Sequence, residues 1–190
     1  MFAKSLILGA GLLVAVSAMG QGVPEAQFGQ SIADVFKSAS GADIAFVAFG
    51  FLSSNRDSKN LATAFQFPND ELWVVNISGK QLNEAFEKSL SFYPEPCPDM
   101  LYFSGTEVTF SAPKSGKPKI LSATVGGINL DPNKNYKVSM PASLARGGLS
   151  YYAVWNFQKP EKVISPSISK LLEGKSVQTS TLRWLSRPSL

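Results

Sequence analysis

The sequence predicts one mixed α/β domain. Segments with apolar side chains at helical spacing alternate with short, nearly continuous apolar segments, which are typical of buried strands. The 190 residues are enough for one domain and leave little room for another. Hydrophobic residues make up 44% of the chain and charged residues 17%, a balance typical of a packed core rather than of disorder. We therefore expect the helices and strands to share a single core.

The first twenty residues have the pattern of a secretory signal peptide. Met1–Lys4 is short and positively charged, and Ser5–Ala18 is apolar and uncharged. Small residues then predict cleavage after Gly20, with cleavage after Ala18 as the alternative. The apolar run is shorter than the roughly 20 residues of a membrane-spanning helix, although an uncleaved anchor remains an alternative. The prediction is an exported protein, periplasmic or extracellular, with its domain over residues 21–190 and no membrane span after cleavage.

The predicted domain begins with a helix followed by a buried strand. Pro24 is suited to the first turn of the helix, and Ser38–Gly41 favours its end. The apolar residues at helical spacing between them are Phe28, Ile32, Val35 and Phe36. Asp43–Phe51 (DIAFVAFGF) is almost entirely apolar, which predicts a strand buried on both faces. The polar segment Ser53–Lys59 is predicted to be a loop.

A second strand and helix are predicted next. Leu72–Ile77 predicts another buried strand, after which Ser78–Gly79 leads into a helix over Lys80–Leu90. Its apolar stripe consists of Leu82, Ala85, Phe86 and Leu90. Glu84 and Lys88 have the spacing of a favourable helical ion pair. The proline-rich segment Phe92–Pro98 is predicted to be a surface loop.

The second half of the chain predicts shorter elements. Val108 and Phe110 alternate with polar residues, as in a half-exposed strand, and Ala112–Pro118 is predicted to be a turn. Further strands are predicted over Ile120–Val125 and Tyr136–Met140. Beyond Trp155 the chain is polar and interrupted by prolines, and it predicts only a short helix around Ser167–Glu173.

The absence of histidine excludes several mechanisms. No Ser–His–Asp or Cys–His relay and no histidine-ligated metal centre can be built from this sequence. The single cysteine, Cys97, excludes thiolate zinc sites, iron–sulfur clusters and internal disulfides. It would be reactive if exposed, but we expect it to be a small buried apolar residue. The most isolated loop carboxylates, Asp70, Glu71 and Asp99, cannot be paired as acid and base, so surface solvation is expected. The sequence therefore predicts no catalytic residue and no cofactor.

Neither the charge distribution nor a partial calcium motif indicates a nucleic-acid or metal partner. The net charge of +4 comes from scattered Lys and Arg, whereas a nucleic-acid interface needs clustered positive charge. Asp131, Asn133 and Asn135 begin like a calcium loop, but Tyr136 stands where glycine is needed and Ala142 where a bidentate Glu is needed. We expect an Asx-rich turn there and neither a metal nor nucleic acid.

Segments over roughly residues 25–185 follow the order and spacing of a known domain. They include Ile32–Phe49 (IADVFKSASGADIAFVAF), Leu72–Leu82 (LWVVNISGKQL), Phe103–Ser111, Val125–Val138 (VGGINLDPNKNYKV) and Leu144–Tyr151 (LARGGLSY). In this order they resemble the helix–TGADIA–strand unit, the T-G-x-x-L turn, the S-G strand, the GG-x-x-LDP segment and the GGDGY loop of the 5′-nucleotidase C-terminal domain. The resemblance implies a mixed α/β fold in which helices flank packed mixed sheets.

The resemblance also implies a function. In that family the two-metal hydrolytic centre belongs to a separate metallophosphatase domain, which this histidine-free sequence lacks. The C-terminal domain holds the nucleoside between two aromatic rings, while an Asn, an Arg and an Asp hydrogen-bond the substrate. Stacking of this kind contributes about 1–3 kcal/mol per base.

The positions that match these ligands are largely changed. The family's Asn and Arg correspond to Ala48 and Ser53, its second stacking ring to Ser143, and its GGDG Asp to Leu149. The first stacking ring corresponds to Phe67. Losing a buried hydrogen-bonding partner costs about 1–3 kcal/mol, so ordinary nucleotide affinity is expected to be lost.

Five residues remain as candidates for ligand binding. They are Phe67, Gly50, Phe51, Gly147 and Gly148. Phenylalanines replace two family glycines at Phe49 and Phe51, where their rings are expected to fill the crevice. The glycine pair is equally explained by the backbone shape of its loop.

Three hypotheses follow. The first is an exported, stand-alone and non-catalytic domain of this type, with a degenerate nucleoside site that binds a nucleoside, another small molecule or a protein. The second is an accessory part of a nucleotide or phosphoester hydrolase, acting in nucleotide catabolism with a separate metallophosphatase subunit. The third is an unrelated secreted interaction protein.

Overall fold

The secondary structure has the predicted alternation of helices and strands. The structure, a computed structural model, describes residues 24–113 and 116–188, so the predicted signal peptide lies outside it. The strands are β1 (Ile44–Ala48), β2 (Leu72–Ser78), β3 (Leu101–Ser104), β4 (Thr106–Ala112), β5 (Lys119–Val125), β6 (Ile128–Asn129), β7 (Asn135–Pro141), β8 (Lys162–Ser165) and β9 (Trp184–Pro188). The helices are α1 (Glu25–Ser40), α2 (Gly79–Ser89), α3 (Ala142–Ala145), α4 (Tyr152–Trp155) and α5 (Ile168–Leu172).

Two mixed sheets organise the described chain, which confirms the predicted mixed α/β class. The first sheet has the order β3-β1-β7-β2-β8, in which only β1 and β7 run parallel. The second has the order β6-β5-β4-β9, with β4 and β9 parallel. Gly105, at φ +85°, joins β3 to β4, so the chain passes directly from one sheet to the other. No helix among the described residues has both the length and the apolar character needed to cross a membrane.

Helix α1 has the predicted extent. Pro24 precedes its first residue, and Gly41 ends it in the left-handed conformation at φ 65°. The Gly41 amide donates to the Lys37 carbonyl, so the last turn of the helix is closed as glycine caps usually close it. The buried apolar face of the helix consists of Phe28, Ile32, Ala33 and Phe36.

Strand β1 is shorter than the predicted Asp43–Phe51. All of its residues are buried, but it ends at Ala48, and Phe49–Phe51 forms a 3₁₀ turn. The loop before β3 explains the change, because the Phe49 amide donates to the Met100 carbonyl and the Gly50 amide to the Pro98 carbonyl. Long-range backbone bonds therefore override the apolar pattern at this point.

Helix α2 confirms the prediction with a capping box. The Ser78 hydroxyl accepts from the Gln81 amide, and the Gln81 side chain accepts from the Ser78 amide. The predicted apolar stripe is buried. Lys88, however, donates to Asp99 at 2.6 Å rather than pairing with Glu84. The Asp99 side chain is only 13% exposed, so this ion pair is better shielded from water than a typical surface pair.

Cys97 is buried, as predicted, beside this ion pair. Burial raises the pKa of its thiol to about 11, helped by a hydrogen bond to Asp99 and by the charge of that carboxylate. Burial alone would raise the pKa of Asp99, but hydrogen bonds from Cys97 and Lys88 outweigh it and the pKa falls below its usual value. Cys97 is therefore a protonated packing residue at neutral pH, since the thiolate is the reactive form.

Aromatic rings fill much of the core where the first sheet packs against helices α2 and α4. The Phe46 ring lies 6.2 Å from Phe86, 6.5 Å from Phe103 and 6.2 Å from Trp155, measured between centroids. Trp155 is stacked on Tyr151 at 4.5 Å, with 10° between the ring planes. Edge-to-face and offset contacts of this kind add about 0.5–1.5 kcal/mol per pair beyond the buried area.

The segment after α5 was predicted to be irregular, but it contains the second sheet's edge strand β9. Side chains of this segment, together with Gln30 of α1, also cover the outer edge of β3. The Leu101 carbonyl accepts from the Trp184 indole at 2.8 Å, and the Phe103 carbonyl accepts from Arg183 and Gln30, each at 2.7 Å. Exposed strand edges pair readily with other chains, so these contacts protect β3.

Candidate functional site

A shallow surface depression of about 370 Å³ lies where β2 begins and β7 ends. Asp70 lies two residues before the start of β2, and Ser143 lies two residues after the end of β7, in α3. The residues that line the depression are Gln66, Phe67, Pro68, Asn69, Asp70 and Ser143. This volume lies near the lower end of the range for small-molecule sites, about 300–1,000 Å³.

The turn that carries Phe67 is fixed by the segment after β1. The Gln66 amide donates to the Phe51 carbonyl at 2.9 Å, and its side-chain amide donates to the Leu52 carbonyl at 2.7 Å. Leu52 and Phe65 form an isolated antiparallel bridge. The position of Phe67 is therefore set by long-range backbone pairing rather than by its own turn alone.

Phe67 is 46% exposed, although two rings hold it in place. Its ring centroid lies 5.4 Å from that of Phe51 and 6.4 Å from that of Phe65, and both neighbours are nearly perpendicular to it. Phe51 is buried, so it fills the space behind Phe67. Of these three rings, only Phe67 is half-exposed, and it lies at the edge of the depression.

Asp70 has more partners than the expected solvated surface carboxylate. One carboxylate oxygen accepts from the Ser143 hydroxyl at 2.5 Å and from the Ser143 amide at 3.2 Å. The other accepts from the Glu71 amide at 2.9 Å. The Asp70 carbonyl accepts from the Ile168 amide at the start of α5. The carboxylate is therefore held in one orientation at the depression.

Of the five predicted ligand-binding residues, only Phe67 lines the depression. Phe51 lies behind it, and the three glycines are explained by close packing of the chain. A Cβ at Gly50 would lie 2.9 Å from Pro98, at Gly147 2.6 Å from Tyr152, and at Gly148 2.7 Å from the Ser143 carbonyl oxygen. These approaches require glycine whether or not a ligand is present.

The positions where the resemblance implies polar anchors have other surroundings. Ala48 is fully buried in β1, and the Ser53 hydroxyl accepts from the nearby Asn55 amide. Leu149 has a positive φ of 54° and packs against the core. Sequence reasoning missed Asp70 as a site residue. The only available signal was its position three residues after Phe67, the residue that the resemblance matches to a stacking ring.

The loop after α3 holds two non-glycine residues in the left-handed region, Leu149 and Ser150 at φ 63°. Because Ser150 is exposed, Ser150→Gly should remove strain without removing packing, and should raise the free energy of unfolding by about 0.5–1 kcal/mol. The matched change Gly147→Ala should lower it by about 1–3 kcal/mol, because Gly147 has φ +94° and no room for a Cβ. Urea denaturation followed by circular dichroism measures both, and a destabilised Ser150→Gly variant would contradict this account.

The described residues contain no group of three or more His, Cys, Asp or Glu side chains placed to hold a metal ion. The fold places the protein among mixed α/β domains. Residues 12–155 match the family described as 5′-nucleotidase, C-terminal domain, and the chain belongs to this family. The third hypothesis, that the protein is unrelated to this family, is therefore wrong. A comparison with curated protein sequences gave no significant match.

Solved structures of larger proteins have a similar fold. A 5′-nucleotidase precursor from Thermus thermophilus is 18% identical, with a TM-score of 0.66 over 86% of this chain and 37% of that chain. The NAD nucleotidase of Haemophilus influenzae is 17% identical, with a TM-score of 0.64 over 86% and 33%. The sulfate thiohydrolase SoxB from Thermus thermophilus is 18% identical, with a TM-score of 0.54 over 84% and 32%. The chain thus spans about a third of these proteins, and the likeness is one of fold.

Proposed function

We propose that the protein is an exported, non-catalytic domain of the 5′-nucleotidase C-terminal type with a degenerate nucleoside site. The observation that carries the proposal is the contact between Ser143 and Asp70. Where the family resemblance implies a second stacking ring, this chain has a hydroxyl that donates to a carboxylate at 2.5 Å. One half-exposed ring, Phe67, cannot sandwich a base.

The surroundings of Phe67 support the same proposal. Phe51 occupies the space behind it, in a segment where the family has glycines. Ser53 stands where an Arg is implied, and its hydroxyl is engaged within its own loop. The sequence contains no histidine, so the His-rich two-metal centre that the family resemblance implies for hydrolysis would have to come from another domain or chain. Export rests on the signal-peptide pattern of the first twenty residues.

Calorimetry of the purified protein with AMP and adenosine tests nucleoside binding. We expect no saturable heat at millimolar ligand, because the second ring and the polar anchors are replaced. Saturable binding that is lost in Phe67→Ala but kept in Phe92→Ala, a change at an exposed ring elsewhere, would overturn the degenerate-site proposal.

Phosphate release tests the absence of catalysis. The protein incubated with AMP and Mn²⁺, Zn²⁺ or Mg²⁺ should release no phosphate above the rate of the metal alone. Metal-dependent turnover that survives repurification would overturn this part of the proposal and leave the binding result unaffected.

The second candidate is an accessory role beside a separate metallophosphatase in nucleotide or phosphoester hydrolysis. Its supporting observation is that the chain matches only about a third of each similar nucleotidase. Adding this protein to a lone metallophosphatase domain should then raise its turnover of AMP. An unchanged rate and no complex in gel filtration would contradict the accessory role.

A further inference from the structure

The depression carries one charge, and it is negative. Of the described residues that line it, Asp70 alone is charged, while Gln66 and Asn69 are neutral amides. Arg146 follows α3 but does not line the depression, and its guanidinium lies 4.3 Å from the centroid of the Trp73 ring. A phosphate in the depression would therefore face a carboxylate with no cation among the lining residues to offset it.

The ring beside this carboxylate is oriented before any ligand arrives. Phe67 is fixed by its perpendicular contacts with Phe51 and Phe65 and keeps nearly half of its surface exposed. The face of an aromatic ring carries partial negative charge, so it attracts cations by about 0.5–2 kcal/mol, depending on desolvation. The ring and the carboxylate thus favour the same sign of ligand charge.

From this arrangement we infer that the depression binds a small organic cation, one with a guanidinium or alkylated ammonium group. The cation lies against Phe67 and is paired with Asp70. Such groups are more weakly hydrated than a primary ammonium, so they lose less on leaving water. The inference rests on the proposed function, because it requires that the anion-binding groups of a nucleotide site have been replaced.

Titrations with three small compounds that share a phenyl ring and differ in charge test the charge preference. Benzyltrimethylammonium, benzyl alcohol and benzoate are added to the isotopically labelled protein at low salt, and amide shifts are followed by NMR. The ammonium compound should perturb amides of residues 66–70 and 143 and bind about tenfold more tightly than the alcohol. Equal affinity for the ammonium compound and the alcohol, or tighter binding of benzoate, would overturn the inference.

Charge changes at Asn69 provide matched variants that keep the packing. Asn69 is exposed and lines the depression, so both substitutions are expected to fold. Asn69→Asp should tighten ammonium binding about threefold, and Asn69→Lys should weaken it about tenfold. Phe67→Ala should weaken it about fivefold while Phe92→Ala leaves it unchanged. Affinities that do not respond to the charge at position 69 would contradict a site in this depression.

The two proposals fail in different ways. Saturable AMP or adenosine binding overturns the degenerate nucleoside site. Absence of ammonium binding, with AMP and adenosine also unbound, overturns only the cation site. Asp70→Asn, checked for an unchanged melting temperature, should reduce ammonium binding about tenfold, and full binding by a folded Asp70→Asn protein would overturn the role of the carboxylate.

Discussion

Trp155→Ala is expected to lower the free energy of unfolding by about 3–5 kcal/mol. Trp155 is fully buried, stacked on Tyr151 and 6.2 Å from the Phe46 ring. Its indole also donates to the Leu144 carbonyl at 2.9 Å. Alanine would leave a cavity and remove the indole hydrogen bond, although the Leu144 carbonyl would still accept from the Gly147 amide. Urea denaturation followed by far-ultraviolet circular dichroism measures the loss without relying on tryptophan fluorescence.

Trp155→Phe separates the two contributions. Phenylalanine keeps part of the ring packing but cannot donate to Leu144, so the lost hydrogen bond should cost about 0.5–1.5 kcal/mol beyond the cost of the smaller ring. If Trp155→Ala costs less than about 1 kcal/mol, the stacked arrangement with Tyr151 and Phe46 is not the packing of the native core.

Trp184→Ala is expected to have the second largest effect, a loss of about 2–3 kcal/mol. The ring is half-buried and lies 4.8 Å from Phe103, 6.0 Å from Phe86 and 5.9 Å from Phe110. Its indole supplies the hydrogen bond that covers the Leu101 carbonyl. The substitution therefore weakens the contact between the two sheets as well as the edge of β3.

The neighbouring residue provides a matched control. Leu185 lies on the opposite face of β9 and is 41% exposed, so Leu185→Ala should change stability by no more than about 0.5 kcal/mol. Both variants are compared by urea denaturation. Equal losses from Trp184→Ala and Leu185→Ala would show that the inner face of β9 is not packed as described.

The sequence predicts those elements whose own side chains determine them. The buried strands β1 and β2 have almost continuous apolar residues, and α2 has both a capping sequence and a regular stripe. Strands β8 and β9 were missed because most of their side chains are half-buried or exposed, and their conformation depends on pairing with β2 and β4. The 3₁₀ turn at Phe49–Phe51 likewise depends on bonds to distant residues. No local pattern encodes such partners.

The residues of the candidate site were likewise predicted only in part from the sequence. The family resemblance singled out Phe67 and Ser143, and the structure brings both to one depression. The bond between Asp70 and Ser143 joins residues far apart in the chain, so sequence spacing could not reveal it. Gly147 and Gly148 had two explanations, and their packing against Tyr152 and Ser143 now accounts for them. Two of the lining residues, Phe67 and Ser143, were predictable from the resemblance, whereas Asp70 and the contacts between the residues depend on the fold.

The parallel pairing of β4 with β9 has a consequence for how the domain folds. Residues 106–112 must wait for residues 184–188 before the second sheet is complete, and such non-local pairings form slowly because a long loop has to close first. Until then one edge of β4 has free amide and carbonyl groups that can pair with the same strand of a second molecule. During refolding, higher protein concentration should therefore favour aggregation through this edge of β4, which β9 covers once folding is complete.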